Sequence, residues 1–197
     1  MKAAVLRKPK YLSIEDVQKP TPEYGEVLVR VRATAICGTD ISIYEGKTKV
    51  DYPRILGHES AGEVAELGKG VKNLKVGDKV IMSPTSYCGT CLNCMRGETN
   101  ICENGGLFGR EFDGTYAEYV TLAENRAFKL PDTISCVDAT TLEALTTVVY
   151  AQRKISIFPN SSVVIIGQGT VGLMHSKLSK LRGADPVIGI DVKGCEW

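Results

Sequence analysis

The stretch Gly57-His58-Glu59-Ser60-Ala61-Gly62 sets an imidazole beside a carboxylate between two glycines. About twenty residues upstream, Cys37-Gly38-Thr39-Asp40 supplies a thiol. Zinc binds cysteine sulfur, histidine nitrogen and carboxylate oxygen, and a catalytic zinc keeps three such ligands and one open position. A metal site at Cys37, His58 and a carboxylate is therefore the leading hypothesis. The alternative is that Cys37 is a small buried side chain and His58 a hydrogen-bonded loop residue.

Glycine-containing motifs continue this pattern along most of the chain. After His58 they follow in the order Gly62, Gly68 and Val71, Val76-Gly77-Asp78-Lys79-Val80, Gly114-Thr115-Tyr116-Ala117-Glu118-Tyr119-Val120 and Leu130-Pro131. Together these motifs resemble the zinc-containing medium-chain alcohol dehydrogenases, including the sorbitol and threonine dehydrogenases. The resemblance implies a mainly β, GroES-like catalytic barrel that is followed by an α/β Rossmann unit.

Composition narrows the choice of partners. The chain has 24 lysines and arginines against 23 aspartates and glutamates, a formal net charge of +1. No overall field therefore favours nucleic acid or an anionic membrane, and neither partner is expected. The first residues have too short an apolar run for a signal peptide, and no stretch approaches a membrane span of ~20 apolar residues, which predicts a cytoplasmic protein. Seven cysteines in such a chain favour metal binding over disulfides.

Two kinds of pattern divide the chain. Short β-rich runs broken by glycine, proline and aspartate extend to about Leu130, and Val27, Val29 and Val31 alternate with other residues as in a half-exposed strand. A helical pattern follows, up to Arg153. We predict a catalytic domain over residues 1–155, with a zinc lobe at 84–104, and a partial NAD-binding Rossmann unit, strand-helix-strand only, over 156–197.

Four cysteines form a compact cluster. The spacing is Cys-x2-Cys-x2-Cys-x7-Cys, at Cys88, Cys91, Cys94 and Cys102. Four thiolates at such intervals suit a closed tetrahedral zinc, which stabilises a loop too polar to build its own core. An iron-sulfur cluster or disulfide exchange would use similar residues. The resembled family carries a structural zinc lobe with this spacing at this point.

The same resemblance assigns the catalytic metal. It gives Cys37 and His58 as ligands, and Glu143 matches the position of a third ligand that varies among relatives. Glu59 competes for that place, and Glu143 would otherwise be a solvated helical side chain. Zinc would lower the pKa of a bound alcohol, so that hydride can pass to a nicotinamide ring. Thr147 would lie near that ring.

A proton must also leave the alcohol. Thr39 matches the hydroxyl with which the family's proton relay begins, and many relatives continue the relay with a histidine three positions later. Ser42 occupies that position here. Because serine cannot hold a proton near pH 7 as imidazole can, the relay would run through water or another group.

A second glycine motif, Gly167-x-Gly169-x-x-Gly172, lies between a β-branched strand and an amphipathic helix. Asp191 ends the next predicted strand about twenty residues later. In this arrangement the glycines permit a tight turn, close approach of a pyrophosphate and close helix packing. An acid at position 191 would bind a ribose 2'-hydroxyl and repel a 2'-phosphate, which favours NAD over NADP. His175, within the helix, is expected to be a packing or surface residue.

The chain ends at Lys193-Gly194-Cys195-Glu196-Trp197, just after the second strand of a sheet that should have six. If it is complete, we expect weak NAD binding, little turnover and association through the open sheet edge. The resemblance implies that the full-length family forms homo-oligomers.

Three classes of function remain open. The first is a zinc- and NAD-dependent dehydrogenase acting on a secondary alcohol, a polyol or a threonine-like substrate. The second is a non-catalytic zinc-binding fragment or assembly module. The third, a zinc-ribbon nucleic-acid binder, needs a basic face, and only Arg96 is basic around the cysteine cluster.

Overall fold

The computed structural model describes residues 1–192, and the chain divides into two compact units after Thr141. This division precedes the predicted boundary at residues 155 and 156, because a helix that starts at Thr141 supplies the first part of the second unit. The predicted domain limits themselves stay a prediction. Residues 193–197, on which the expectation about the chain end rests, lie outside the described residues.

The first unit is mainly β. Its strands are β1 (Lys2–Lys8), β2 (Tyr11–Asp16), β3 (Glu26–Ala35), β4 (Arg54–Ile55), β5 (Glu59–Leu67), β6 (Lys79–Met82), β7 (Thr85–Ser86), β8 (Gly106–Leu107), β9 (Tyr119–Ala123) and β10 (Ala127–Lys129). Its helices are α1 (Gly38–Tyr44), α2 (Leu92–Met95) and α3 (Cys136–Ala139), with 3-10 turns at Thr99–Ile101 and Glu124–Arg126.

An antiparallel sheet in the order β10-β6-β5-β3-β9 builds the main core. Val27, Val29, Val64, Val80 and Leu122 are buried together there. The predicted alternation in β3 holds only in part, since Leu28 is as buried as its neighbours on either side. The first half of β3 is therefore covered on both faces, which a half-exposed strand pattern does not anticipate.

A second sheet, in the order β2-β1-β4, brings the amino terminus beside α1. Leu6 of β1, Ile43 of α1 and Leu56 form one buried cluster. Leu56 precedes Gly57 and His58 directly, so this cluster fixes α1 next to the segment that carries the histidine. The packing of three apolar side chains thus positions two of the predicted ligand-bearing segments.

The second unit contains the predicted strand-helix-strand pattern. Its elements are α4 (Thr141–Arg153), β11 (Val163–Ile166), α5 (Thr170–Leu181) and β12 (Val187–Ile190). β11 and β12 pair in parallel, with Val163 opposite Val187. The predicted fold class, a mainly β domain followed by an incomplete α/β unit, is confirmed. Within residues 1–192 no helix is both long and apolar enough to cross a membrane.

His175 packs inside this second unit. The Gln152 side-chain Nε2 lies 3.1 Å from its Nδ1 and donates to its main-chain oxygen at 3.0 Å. The same amide donates to Ser179 Oγ at 3.0 Å. The histidine therefore takes part in packing α4 against α5, as the sequence suggested.

Candidate metal centres and dinucleotide turn

One donor from each of Cys37, His58 and Glu59 comes together, with the ligand atoms within 4.8 Å of one another. Cys37 follows β3 and precedes α1, His58 immediately precedes β5, and Glu59 begins β5. β3 and β5 are antiparallel neighbours in which Ala35 lies opposite Glu59. The end of one strand thus meets the start of the other. Sulfur, imidazole nitrogen and carboxylate oxygen form a donor set that fits zinc.

A buried carboxylate stands behind the histidine. Asp40 is 3% exposed, and its Oδ1 lies 3.5 Å from His58 Nδ1. Oδ1 also accepts the Gly57 N–H at 3.1 Å, and Oδ2 accepts the Cys37 N–H at 2.9 Å. With Nδ1 facing a carboxylate, Nε2 is the nitrogen that can bind a metal, and the carboxylate fixes the ring's orientation and tautomer.

Tyr116 completes this support. Its hydroxyl donates to Asp40 Oδ2 at 2.9 Å and lies 3.3 Å from the Ala35 carbonyl oxygen. Its ring packs against Gly57, where the backbone has a φ of +94° and any Cβ would overlap the ring. Only glycine fits position 57, for both conformational and steric reasons. Gly57 is therefore required because the Tyr116 ring, which packs against it, leaves no room for a side chain.

The sequence analysis gave Asp40 and Tyr116 no role of their own. For Asp40 a signal existed, because it lies three residues after Cys37, the residue before α1, and its carboxylate accepts the Cys37 N–H as in a capping box. For Tyr116 no local signal exists, since its partner Asp40 is 76 residues away in the chain.

The electrostatics follow from burial and hydrogen bonding. Burial raises the pKa of the Cys37 thiol, although contacts with Thr39 work against it. Burial also acts to raise the pKa of Asp40, but hydrogen bonds from His58, the Cys37 backbone and Tyr116 outweigh it, so that the pKa is lowered. Asp40 is thus a carboxylate at neutral pH. Burial, together with this negative charge, raises the pKa of Tyr116 and keeps its hydroxyl a donor.

The two residues of the predicted relay lie on α1. Thr39 Oγ1 is 3.7 Å from Cys37 Sγ, which puts its hydroxyl beside the candidate metal ligand. Ser42 Oγ lies 2.8 Å from Thr48 Oγ1. Ser42 thus pairs with a hydroxyl that lies beyond the end of α1. The part of Thr39 and Ser42 in proton transfer stays a prediction.

Glu143 and Thr147 lie on α4, in the second unit. Glu143 is in the first turn of the helix, and Thr147 Oγ1 donates to the Ala144 carbonyl at 2.7 Å. The three-donor cluster within the first unit contains Glu59 as its carboxylate. The roles expected for Glu143 and Thr147 stay predictions.

The four sulfurs of Cys88, Cys91, Cys94 and Cys102 form the second cluster, again within 4.8 Å of one another. The distances between sulfur atoms are 3.5 Å for Cys88–Cys102, 3.8 Å for Cys91–Cys102 and 4.0 Å for Cys88–Cys94. A tetrahedral zinc with Zn–S bonds of about 2.3 Å requires sulfurs about 3.8 Å apart. A disulfide would need about 2.05 Å. The cluster therefore has the dimensions of a closed zinc site.

Backbone amides surround these sulfurs. The Cys91 N–H donates to Cys88 Sγ at 3.3 Å, and the Cys88 N–H donates to Cys102 Sγ at 3.2 Å. Hydrogen bonds from the Thr90 backbone and hydroxyl are the largest causes that lower the pKa of Cys88 to about 5, whereas burial raises the pKa of Cys94. Amides that point at sulfur stabilise thiolates, the form that binds a metal.

The glycine motif forms the turn between β11 and α5. Gly167 has a φ of +93°, and a Cβ at Gly172 would overlap the Gly167 carbonyl oxygen. Gly169 precedes α5, and the described residues leave open space within 4 Å of the place where its Cβ would lie. Asp191 Oδ2 accepts the Gln168 N–H at 2.6 Å. The turn thus has glycines where a pyrophosphate-binding loop needs a tight turn, close approach and close packing. Asp191 is held beside the turn by its hydrogen bond from the Gln168 N–H, a contact that the sequence did not indicate.

The class of this protein is defined by a β-rich unit with two clusters of candidate metal ligands and by a unit with a parallel strand-helix-strand pattern. Residues 23–132 match the model of the alcohol dehydrogenase GroES-like domain, and the chain belongs to that family. The fold and the family named from the motifs are thereby confirmed.

Individual relatives agree with this assignment. The chain is 40% identical over 193 residues to L-threonine 3-dehydrogenase of Pyrococcus furiosus, covering 95% of this chain and 55% of the relative. Its fold matches galactitol-1-phosphate dehydrogenase of Escherichia coli with a TM-score of 0.92 at 30% identity, covering 98% and 56% of the two chains. It matches a thermostable alcohol dehydrogenase of Pyrobaculum aerophilum, with bound cobalt and zinc, at 0.89 and 32% identity, covering 98% and 60%. The chain thus spans little more than half the length of these relatives.

Proposed function

We propose that this protein is a zinc-dependent oxidoreductase that transfers hydride between a secondary alcohol or polyol and NAD. The observation that carries the proposal is the convergence of Cys37, His58 and Glu59, with Asp40 behind the histidine. The relatives are named as dehydrogenases of threonine, of an alcohol and of a polyol phosphate, and these names support the substrate class.

Cys37, His58 and a carboxylate would hold the catalytic zinc, which as a Lewis acid lowers the pKa of an alcohol bound to it. The other residues act around that centre. Asp40 orients His58 and keeps its Nδ1 side occupied, so that Nε2 faces the metal. The Thr39 hydroxyl, 3.7 Å from the Cys37 thiol, would take a hydrogen bond from the alcohol and begin the proton relay. Because Ser42, three positions later, cannot hold a proton near pH 7 as imidazole can, the relay would continue through water or another group.

The four-cysteine cluster would hold a second, structural zinc. Its ligands are all thiols, so that no position is left open for substrate. The turn at Gly167, Gly169 and Gly172 would take the pyrophosphate of the coenzyme at the start of α5. The Asp191 carboxylate, fixed by the Gln168 N–H, supports NAD over NADP, because it would repel a 2'-phosphate. In an oligomer these sites would be repeated in each subunit.

Zinc counting and coenzyme binding test the proposal in one sample. We expect two zinc ions per chain by mass spectrometry and saturable NAD binding by calorimetry. NADH formation with L-threonine or a polyol is expected when the rest of the dinucleotide-binding sheet is present, since residues 1–197 alone are expected to bind NAD weakly and to turn over little. Gly169→Ala should weaken NAD binding without changing the zinc content, because the substituted methyl group occupies open space where the pyrophosphate approaches. Gly38→Ala, also in open space, is the matched control and should bind NAD as the parent does.

Zinc without NAD binding would favour the second class, a zinc-binding module without hydride transfer. The third ligand is tested separately by Glu59→Gln and Glu143→Gln. Loss of one zinc equivalent only in Glu59→Gln would identify Glu59 as the ligand, as the three-donor cluster indicates. Loss only in Glu143→Gln would identify the carboxylate expected from the family pattern.

A further inference from the structure

A cavity of about 560 Å³ lies within the first unit, and none of the residues proposed to bind zinc or NAD lines it. Its apolar wall includes one residue of β1, two of β9, the residue after β2 and the residue after β8: Val5, Val120, Leu122, Val17 and Phe108. Its volume is within the range of ordinary small-molecule sites, about 300 to 1,000 Å³. The apolar wall gives such a site a place for a hydrocarbon or aromatic body.

A buried arginine interrupts this apolar wall. Arg126 is 8% exposed and lines the cavity. Its Nη2 donates to the carbonyls of Ser83 and Pro84, each at 3.0 Å, and its guanidinium lies 4.5 Å from the centre of the Phe108 ring. Its Nε is buried and has no hydrogen-bond partner among the described residues. A buried donor without a partner is costly, and it shows that the hydrogen bonds of the Arg126 guanidinium are incomplete at the cavity wall.

Arg54 is a second arginine on the wall of the same cavity. Its side chain is 14% exposed, and its Nε is likewise buried without a partner in the described part of the chain. Its Nη1 lies 3.5 Å from Asp113 Oδ1, an oxygen that also accepts the Ile55 N–H at 3.0 Å. Asp113 is 61% exposed, so this ion pair is long and partly in solvent. Arg54 therefore keeps capacity for a stronger anionic partner.

The acids on the cavity wall are already engaged. Glu15 Oε1 accepts from Arg7 Nε at 2.9 Å, and its other oxygen pairs with the same guanidinium. Glu26 Oε2 accepts the Glu23 N–H at 3.0 Å. The amino terminus of Met1, another positive group on the wall, donates to a main-chain carbonyl at 2.8 Å. On the cavity wall, the donors without a partner thus belong to the two arginines, whereas the acids already have partners. The cavity therefore suits an anion.

We propose that this cavity binds a carboxylate joined to an apolar body, with the guanidinium groups of Arg126 and Arg54 as the carboxylate's partners. Planar guanidinium groups match the two oxygens of a carboxylate, often through paired hydrogen bonds. The ring of Phe108 and the aliphatic side chains of β1 and β9 pack against the apolar body. A free organic acid and the carboxylate of a polypeptide segment share this chemistry.

The first test uses 4-phenylbutyrate as the probe and 4-phenylbutyramide as its uncharged match, both by calorimetry on the zinc-loaded chain. We expect saturable binding of one molecule of the acid per chain. The amide should bind about ten-fold more weakly or worse, because a charge-assisted contact is lost. Equal affinities for acid and amide, or no binding of the acid, would overturn the proposal.

Three variants locate the binding. Arg126→Gln and Arg54→Gln should each weaken binding of the acid by roughly ten-fold, for the same reason. Arg30→Gln is the matched control, because it removes the same charge from an exposed arginine that does not line the cavity, and binding should change by less than about three-fold. Arg126→Lys, which keeps the charge, replaces the glutamine variant if that variant loses zinc or its folded circular dichroism. An affinity unchanged in both Arg54→Gln and the Arg126 variant would contradict the assignment.

A last arm separates the two sources of the carboxylate. A dipeptide that ends in phenylalanine is compared with its carboxamide on the same protein. Tighter binding of the dipeptide than of 4-phenylbutyrate, lost in the carboxamide, would identify a polypeptide carboxylate as the natural occupant. Binding of 4-phenylbutyrate alone would identify a small organic acid. Because neither arm depends on NAD or turnover, failure here leaves the proposed oxidoreductase function unaffected.

Discussion

Replacing Asp40 by asparagine tests the argument about the candidate catalytic site. One carboxylate oxygen faces Gly57 N–H and His58 Nδ1, and the other faces Cys37 N–H and the Tyr116 hydroxyl. In either orientation of the asparagine amide, its NH2 group faces groups that are themselves donors. Those donors then lose the acceptor that the carboxylate oxygen had provided. Each buried donor left without a partner costs about 1 to 3 kcal/mol. We therefore expect Asp40→Asn to lower the free energy of unfolding by about 2 to 4 kcal/mol.

The same change should weaken metal binding. Loss of the carboxylate behind a ligating histidine typically lowers metal affinity by about 10- to 100-fold. Urea unfolding of the metal-free protein gives the first quantity, and competition with a chromophoric zinc chelator gives the second. Asp51→Asn, at an exposed position, is the control and should change stability by less than about 0.5 kcal/mol. If Asp40→Asn matches this control in both measurements, Asp40 does not orient His58 and the reasoning is wrong.

Three further changes test other parts of the molecule. Gly57→Ala should cost at least about 2 kcal/mol in urea unfolding, because it combines a positive φ with overlap of a tyrosine ring, whereas Gly38→Ala should be nearly neutral. Cys91→Ser should lose one zinc per chain by mass spectrometry and make residues 84–104 sensitive to protease, whereas Cys136→Ser should keep both ions. An ion pair with a lysine lowers the pKa of the Asp78 carboxyl. The stabilisation that this ion pair gives the folded protein is complete above the pKa of the unfolded state, about 3.9, and it is lost as the pH falls through the pKa of the folded state. The stability difference between the parent and Asp78→Asn should therefore shrink below about pH 4 in urea titrations, and a constant difference would count against this ion pair.

Much of the site could be predicted from the sequence because its donors lie in short motifs. Cys37, His58 and Glu59 belong to two segments whose residue types already suit a metal, and the turn at Gly167 to Gly172 depends on local backbone requirements. These local features need no knowledge of how distant segments meet. The predicted metal donors of the first unit accordingly lie together in the structure.

The missed features depend on contacts between distant segments. Tyr116 reaches Asp40 across 76 positions, and no periodicity reports which strand end will face which helix. Leu28 is buried because both faces of β3 are covered at its start, whereas the alternation of valines predicts cover on one face. The choice between Glu59 and Glu143 has the same origin, since one carboxylate is local to the histidine and the other comes from a different compact unit.

The two candidate metal centres differ in what holds their donor residues in position. Around His58 the positioning groups are buried protein groups: Asp40 and Ser60 are almost fully buried, and Ser60 Oγ donates to Thr34 Oγ1 at 2.9 Å. In the cysteine lobe neither α2 nor the turn Thr99–Ile101 contains a buried residue, and the described core clusters include none of its four cysteines. The first site can thus hold its shape through hydrogen bonds and packing, so that a metal there would be left to serve chemistry. In the lobe few packed side chains are available, so that a metal held by its sulfurs would serve the fold.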